Sequence, residues 1–202
     1  IIELVKSSDK FCNHFHIPLQ SGSPRILKAM QRRYSIEDYE NLIHKVRSRL
    51  PNAGIGVDVI VGFPGETEED FIHTHNFLRD LPISYLHVFT YSERPDTKAI
   101  SLPGIVDVQE RKRRNNILRI LSEKKRAKFY SDMIGTKQAV LFENNNKNGL
   151  IQGFTSNYIR VQTDFNEALT GQICPITLTG AEADICTGTI LSTKKSIDLV
   201  TT

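Results

Sequence analysis

The stretch AGIGVDVIVGFPGE, residues 53–66, decides the predicted fold. Its run of β-branched and small apolar residues is typical of a strand buried on both faces of a parallel sheet, and the glycine–proline loop ends it. Similar strands over 15–19 and 85–91 lead into the loops 20–23 and 91–96. Because loops that follow parallel strands meet at one edge of a sheet, where α/β proteins bind ligands, we predict one ligand-binding edge.

The segments between these strands carry helix signals. Ser23 and Thr67 stand where helix N-caps are expected, and Ser35 with Asp38 forms a capping-box pattern. A long helix is predicted over about 108–131. A complete eight-fold αβ barrel needs roughly 250 residues, more than the 202 of this chain. We therefore predict an α/β fold with an incomplete TIM-like parallel αβ barrel.

The sequence pattern changes after residue 134. Short β-branched segments separated by Asn, Gly and Asp follow one another without helices between them, over 137–143, 150–154, 157–163, 172–179 and 185–191. Five such strands indicate a small, closed, antiparallel, OB-like β-barrel. We therefore predict two domains, residues 1–133 and 134–202.

Charge is distributed unevenly along the chain. The net charge is only +3, yet nine basic residues stand against two acidic ones between Val108 and Lys128, a local surplus of +7. A basic helix of this kind predicts a partner with a phosphate backbone, although a solvated helix face is an equal alternative. We find no run of about 18 apolar residues and no secretory leader, so neither a membrane span nor export is predicted.

The cysteines and histidines suggest no metal site. Cys12, Cys174 and Cys186 match no zinc or iron–sulfur spacing, and their odd number fits the reducing cytoplasm. His14 and His16 project from one face of a strand, but the sequence offers them no third ligand. We therefore assign no metal ligand.

Four segments carry a family resemblance. HFHIPLQSGS at 14–23, DVIVGFPGETEEDF at 58–71 and HVFTYSERP at 87–95 resemble the later half of the radical S-adenosylmethionine domain of tRNA methylthiotransferases. Residues 135–191, with GFTSNYIRV at 153–161, resemble the TRAM domain that follows it. The loop at 91–95 is most similar to that of enzymes acting on N6-threonylcarbamoyladenosine beside the anticodon.

The resemblance implies radical chemistry on tRNA. Such enzymes convert a C–H bond of the base to C–S–CH₃, using S-adenosylmethionine, two [4Fe-4S] clusters, an electron donor and a sulfur source. The Cys-x₃-Cys-x₂-Cys run that would hold the first cluster is absent from this sequence, as is the domain for the second. We expect a carboxyl-terminal fragment, inactive alone, with cluster ligands outside this chain. Its open strand edges suggest a possible dimer.

Two alternatives to this function stay open. One is a non-catalytic RNA-binding protein built from the same modules. The other is a methylthiotransferase acting on isopentenyladenosine or on a ribosomal protein.

The resemblance assigns cofactor contacts to two of the loops. Glycines in the second loop would let the backbone approach the adenine of S-adenosylmethionine, and apolar neighbours would cover it. The first loop offers uncharged hydrogen-bonding groups. The candidates are Gln20, Ser21, Gly22, Ile60, Val61, Gly62, Phe63 and Gly65. The alternatives are a helix-entry turn for the first loop and a tight strand-to-helix turn for the second.

The candidate contacts to a tRNA anticodon stem-loop combine aromatic and cationic groups. They are Tyr91 and Arg94 in the third loop, Arg111, Arg113 and Arg114 on the basic helix, and Phe154, Tyr158 and Arg160 in the barrel. An ion pair of Arg94 with Glu93 and core packing of Phe154 are the alternatives. Asp96 stands where family members usually carry glycine, which questions a turn with positive φ there.

Overall fold

The structure, a computed structural model, describes residues 1–144, 146, 148–182 and 184–191. The last 11 residues of the predicted second domain, 192–202, lie outside the described residues. The elements in the first half are three parallel strands and the helices around them, and the second half is a closed barrel.

The first half contains a three-stranded parallel sheet in the order β1-β2-β3. Its strands are β1 (His14–His16), β2 (Gly54–Val61) and β3 (Tyr85–Thr90). The parallel pairing confirms that the three loops share one edge. β1 is shorter than predicted because Pro18 lacks an N–H group, but Leu19 still donates to the Asp58 carbonyl.

Five α-helices are present among the described residues. They are α1 (Ile2–Ser7), α2 (Pro24–Ala29), α3 (Ile36–Arg49), α4 (Glu68–Asp80) and α5 (Val108–Asp132). The predicted caps are confirmed: Ser23 accepts a hydrogen bond from the Ile26 amide, and α3 and α4 both begin with a capping box. α1 was not predicted from the sequence.

The two faces of the sheet differ in chemistry. Val57, Val59 and Val61 are fully buried on the face that the helices cover, as part of one hydrophobic core. The opposite face carries partly exposed polar and aromatic side chains, among them Asp58 and His87. In a complete αβ barrel this second face would line the interior.

The second half is a five-stranded closed barrel. Its strands are β4 (Lys137–Phe142), β5 (Leu150–Thr155), β6 (Arg160–Asp164), β7 (Ile173–Glu182) and β8 (Ile185–Ile190), in the order β4-β5-β6-β8-β7. Four of its strand pairs are antiparallel, but β6 and β8 pair in parallel. The predicted barrel is therefore confirmed, with one correction to its all-antiparallel description.

Helix α5 contributes to both cores. Leu118 and Leu121 pack in the sheet core, whereas Phe129, Tyr130 and Met133 belong to the barrel core. The domain boundary at residues 133 and 134 remains a prediction. No helix in the described residues is both long and apolar enough to span a membrane.

The barrel packs against the amino edge of the sheet. The Tyr158 ring stacks on the His14 ring with 4.2 Å between centroids, and the Asn157 amide donates to the Asn52 carbonyl at 2.8 Å. Gly54 permits this approach, since a Cβ atom there would lie 2.3 Å from the Asn157 carbonyl oxygen. The amino edge is therefore occupied, and the carboxyl edge carries the loops.

Candidate functional site

A cavity of about 270 Å³ opens at the carboxyl edge of the sheet. Ile60 near the end of β2, Phe63 in the following loop and Tyr91 just after β3 form one wall. The end of α2 and the segment 98–102 complete it with Ala29, Met30, Gln31, Arg32, Lys98, Ala99 and Leu102. The structure thus unites two predicted cofactor residues with one predicted substrate residue.

Tyr91, which lines this cavity, carries an unsatisfied polar group. Its hydroxyl oxygen is buried and has no hydrogen-bond partner among the described residues. Its ring meets Phe63 edge to face at 5.5 Å, and the Arg111 guanidinium lies 5.4 Å from its centroid. Because an unpaired buried hydroxyl is costly, the site fits a ligand that offers a polar group beside an apolar surface.

Two exposed cations stand at the rim of the cavity. Arg32 and Lys98 both line it, and neither side chain makes an ion pair within the described part of the chain. Guanidinium and ammonium groups are suited to a carboxylate. The cavity is slightly smaller than the roughly 300–1,000 Å³ of ordinary small-molecule sites.

Local backbone conformation and packing explain why glycine occupies two positions of the second loop. Gly62 has φ +78°, and a Cβ atom there would lie 2.3 Å from the Arg111 Cγ atom. Gly65 has φ +83°, and its amide donates to the Gly104 carbonyl at 2.7 Å. Neither glycine lines the cavity, and Val61 is buried in the sheet core. Both glycines adopt the positive φ that a tight strand-to-helix turn requires, and their assignment to cofactor binding stays a prediction.

The first loop faces helix α4 rather than the cavity. The Gly22 amide donates to the Thr74 hydroxyl at 3.1 Å, and a Cβ atom on Gly22 would lie 2.7 Å from the Thr74 Cα atom. Ser21 is fully buried beside the same threonine. Gln20 has φ +72° and pairs through its backbone with β2. These contacts hold the first loop against α4, and its assignment to cofactor binding stays a prediction.

A buried carboxylate ties the first two loops together. Asp70 accepts hydrogen bonds from the Ser23 hydroxyl, the Thr67 hydroxyl and the Arg25 guanidinium, and Arg25 also donates to the Gly65 carbonyl. Although burial alone would raise it, these hydrogen bonds hold the pKa of Asp70 well below its ordinary value. This network fixes the loop beside the cavity.

The predicted basic surface of α5 needs a correction. Arg111 is buried and donates to Glu93 at 2.6 Å, to the Tyr91 carbonyl and to the Val106 carbonyl. These contacts direct its charge into the protein, so it offers no exposed contact to RNA.

Arg114 and Arg113 are also engaged. Arg114 is buried and pairs with Glu66 at 2.7 Å, and Arg113, partly exposed, pairs with Glu68 and Glu110 at 2.7 Å. Burial raises the pKa of Glu66, although the Gly62 amide and Arg114 oppose that shift. The solvated-face alternative also fails for Arg114, since its charge is internal.

The predicted RNA residues form two separate groups. Phe154 and Arg160 are cross-strand partners, and Tyr158 lies 6.1 Å from Phe154 between ring centroids. All three are at least partly exposed, so Phe154 is not a core residue, and Arg160 also contacts Gln152 and Asp184.

The other group lies at the far edge of the sheet. Arg94 is exposed beyond Tyr91, and Glu93 pairs with Arg111 instead of Arg94. The two groups are separated by the length of β2, about 23 Å at roughly 3.3 Å per residue. Asp96 adopts φ +63°, so the turn keeps a left-handed residue without glycine.

The cysteines of this chain do not fit a [4Fe-4S] cluster. Cys12 is exposed near β1, whereas Cys174 and Cys186 lie on strands of the barrel. Burial raises the pKa of the Cys186 thiol to about 11, which disfavours the thiolate that metals bind.

A larger cavity of about 540 Å³ lies between the ends of α3 and α4 and the last turns of α5. Arg47 donates there to backbone carbonyls of Pro51, Ala53 and Pro82, and Lys125 donates to the ends of α4. Burial lowers the pKa of Lys125 to about 8. Because these cations already donate hydrogen bonds to backbone carbonyls, we interpret this cavity as a gap between packed helices and not as a ligand-binding site.

Sequence reasoning missed one side-chain cluster. His16, Asp58 and His87 stand on β1, β2 and β3, and their ligand atoms lie within 4.8 Å of one another. The alternation of side chains along each strand was the available signal, but the register between strands was not. Asp58 of this cluster lies two residues before Ile60 on the same face of β2.

Comparisons with known proteins agree with this geometry. Residues 1–78 match the sequence model of the radical SAM superfamily. This match covers the amino-terminal helices and the first two strands of the sheet.

Similar curated proteins act on tRNA according to their names. The chain is 39% identical to the tRNA-2-methylthio-N(6)-dimethylallyladenosine synthase of Endomicrobium trichonymphae, over 95% of this chain and 46% of the relative. It is 42% and 36% identical to the threonylcarbamoyladenosine tRNA methylthiotransferases MtaB of Aquifex aeolicus and Bacillus subtilis, over 81% and 87% of this chain and 39% and 40% of those relatives. Over most of its own length the chain is thus similar to proteins named as tRNA methylthiotransferases or tRNA-2-methylthio-N(6)-dimethylallyladenosine synthases, at 36–42% identity. It covers less than half of these relatives.

Proposed function

We propose that this chain is the part of a tRNA methylthiotransferase that holds the adenosine end of S-adenosylmethionine at the carboxyl edge of its sheet. The observation that carries the proposal is Tyr91, which lines a cavity walled by Ile60 and Phe63 and whose buried hydroxyl has no hydrogen-bond partner in the described residues. The apolar side chains would cover a purine ring and exclude water, and the hydroxyl would pair with a polar atom of the nucleoside. Arg32 and Lys98 would pair with the carboxylate of the methionine part.

When bound with its iron–sulfur cluster, S-adenosylmethionine would supply the radical that activates the C–H bond. The complete enzyme would also need an electron donor and a sulfur source. The cluster ligands would come from outside this chain, and the chain alone would be inactive.

We propose C2 of N6-threonylcarbamoyladenosine beside the anticodon as the position that receives the methylthio group. Two relatives named for that nucleoside support it, as does the loop at 91–95. The exposed cluster of Phe154, Tyr158 and Arg160 would contact the anticodon stem-loop, and Arg94 would contact RNA near the cavity. The three free thiols favour the cytoplasm as its location.

Titration of S-adenosylmethionine into the chain, followed by calorimetry, tests the cavity. Tyr91→Phe should weaken binding by about 2–10-fold, the equivalent of one hydrogen bond of roughly 0.5–1.5 kcal/mol. Tyr158→Phe is the matched control because its exposed hydroxyl lies at the other end of the sheet. Equal effects of the two variants, or no binding by the parent chain, would overturn the proposal.

A second candidate function is RNA binding without catalysis. The exposed aromatic pair of Phe154 and Tyr158 favours it, since such rings stack on unpaired bases. Mass spectrometry of tRNA nucleosides from cells lacking the complete protein distinguishes the two. Loss of the methylthio group on threonylcarbamoyladenosine supports the enzyme, and unchanged nucleosides support the binder. A dimer of this chain would appear as doubled mass in light scattering.

A further inference from the structure

The exposed face of the sheet carries a set of metal-binding side chains. His16 on β1, Asp58 on β2 and His87 on β3 each offer one donor atom, and these atoms lie within 4.8 Å of one another. Asp58 and His87 are direct register partners, and His16 is paired with Gly56, one inward-facing position before Asp58. Three neighbouring strands thus direct one donor each to a common point.

The distances fit coordination of a single ion. Two donors that are each about 2.1 Å from one ion lie roughly 3.0–3.4 Å apart at octahedral or tetrahedral angles. The His16 Nε2 atom lies 2.9 Å from the Asp58 Oδ1 atom, and the two imidazole centroids are 5.4 Å apart. Small closing movements of exposed side chains would therefore complete the geometry.

The central carboxylate, Asp58, has an oxygen atom whose hydrogen-bonding capacity is unsatisfied. The Asp58 Oδ1 atom is buried and makes no hydrogen bond within the described residues, although His16 is close by. A divalent cation accepts a lone pair from a neutral imidazole ring and from a carboxylate oxygen alike. An ion would thus satisfy all three groups together.

Tyr85 packs against one of the three ligands. The Tyr85 ring meets His87 edge to face at 5.2 Å, and the Tyr85 hydroxyl is 2.7 Å from His14 Nε2. Gly56 leaves room for that tyrosine, since a Cβ atom there would lie 2.6 Å from its hydroxyl.

We propose that His16, Asp58 and His87 form a binding site for a divalent transition metal ion of the Zn²⁺ type. Two imidazoles and one carboxylate are a common donor set for Zn²⁺, with a further position open to water or to a ligand. The ion would lie one layer below the cavity, about 7 Å along β2 from Ile60. It would join the three strands on the face that no helix of the described residues covers.

Calorimetric titration of Zn²⁺ into the full 202-residue chain tests this proposal. The background variant Cys12→Ser removes the exposed thiol as a competing ligand. We expect one equivalent of Zn²⁺ with micromolar or tighter affinity. Visible absorption of bound Co²⁺ should show ligand-field bands without a thiolate charge-transfer band.

Single ligand variants provide the decisive comparison. His16→Ala and His87→Ala should each weaken Zn²⁺ binding by at least about 100-fold, more than the roughly 10–100-fold cost of losing an outer-shell partner. Asp58→Asn should do the same with little change in size. His73→Ala is the matched control, since it removes an exposed histidine on α4, far from the cluster in sequence.

The outcomes separate the proposal from its competitors. Equal affinity of the His16→Ala and His73→Ala variants, or binding only at millimolar Zn²⁺, would overturn it and leave an ordinary ion pair. Zn²⁺ should also raise the thermal midpoint of the parent chain but not that of a ligand variant. The thermal transition of each variant without Zn²⁺ checks that the variant is folded. Neither measurement involves S-adenosylmethionine, so failure here leaves the proposed function untouched.

Discussion

Replacing Arg114 with glutamine should destabilise the protein by about 3–5 kcal/mol, the usual cost of leaving one member of a buried ion pair alone. The Glu66 side chain is fully buried, and its Oε2 atom is 2.7 Å from the Arg114 guanidinium. The further pairs of Arg114 with Glu68 and Glu110 involve exposed or half-buried carboxylates and contribute at most about 1 kcal/mol each. The Glu66 pair therefore dominates the effect.

Urea denaturation followed by circular dichroism measures this loss. With a slope of about 2 kcal/mol per molar urea, the midpoint should fall by roughly 1.5–2.5 M. Lys112→Gln is the matched control because it removes the same charge from an exposed position two residues away. Its effect should stay within about 0.5 kcal/mol.

The pH dependence of the stability difference between Arg114→Gln and the parent gives a second check. Burial already raises the pKa of Glu66, and loss of Arg114 should raise it further. When the pKa of a carboxyl group is higher in the folded state than in the unfolded state, the free energy of unfolding falls as pH rises through the folded-state pKa. The reason is that the charged form must then be buried. The deficit of Arg114→Gln relative to the parent should therefore shrink at acidic pH.

One result would refute this reasoning. If Arg114→Gln weakened tRNA binding but matched Lys112→Gln in stability at every pH, Arg114 would be an exposed contact to RNA.

Three further predictions concern the loops and the thiols. Asp96→Gly should raise the urea midpoint by the equivalent of about 0.5–1 kcal/mol, because φ is +63° there; a lower midpoint would contradict the left-handed turn. Hydrogen bonds including that from Arg25 depress the pKa of Asp70, so stability should fall as pH drops below about 4. Asp70→Asn should flatten this acid limb in denaturation curves between about pH 2 and 5, and an unchanged limb would count against the network. At pH 8, iodoacetamide should label Cys12 quickly and Cys186 only on unfolding, since burial raises the pKa of Cys186 to about 11; peptide mass spectrometry showing equal rates would disprove its burial.

Local features of the fold were predictable from the sequence. Ser35 with Asp38 and Thr67 with Asp70 form their capping boxes within one helical turn, so the signal and the structure share the same few residues. The strand at 53–61 was likewise predicted within one residue, because its composition admits only a buried position.

Features that depend on distant pairing were not predictable. The partners of Arg114 include Glu66, 48 residues earlier, so a charge count along the helix could not separate internal from exposed arginines. His16, Asp58 and His87 meet only through the register of three strands. The parallel pair of β6 and β8 is likewise a property of barrel closure, which no strand pattern encodes.

Since Phe129, Tyr130 and Met133 complete the interior of the barrel, a polypeptide cut at residue 134 would leave that interior without one of its walls. The smallest piece that can be produced as an independent module should begin inside the helix, one turn before Phe129. The helix is about 37 Å long and packs into the cores of both halves, so heating should unfold the molecule in a single step.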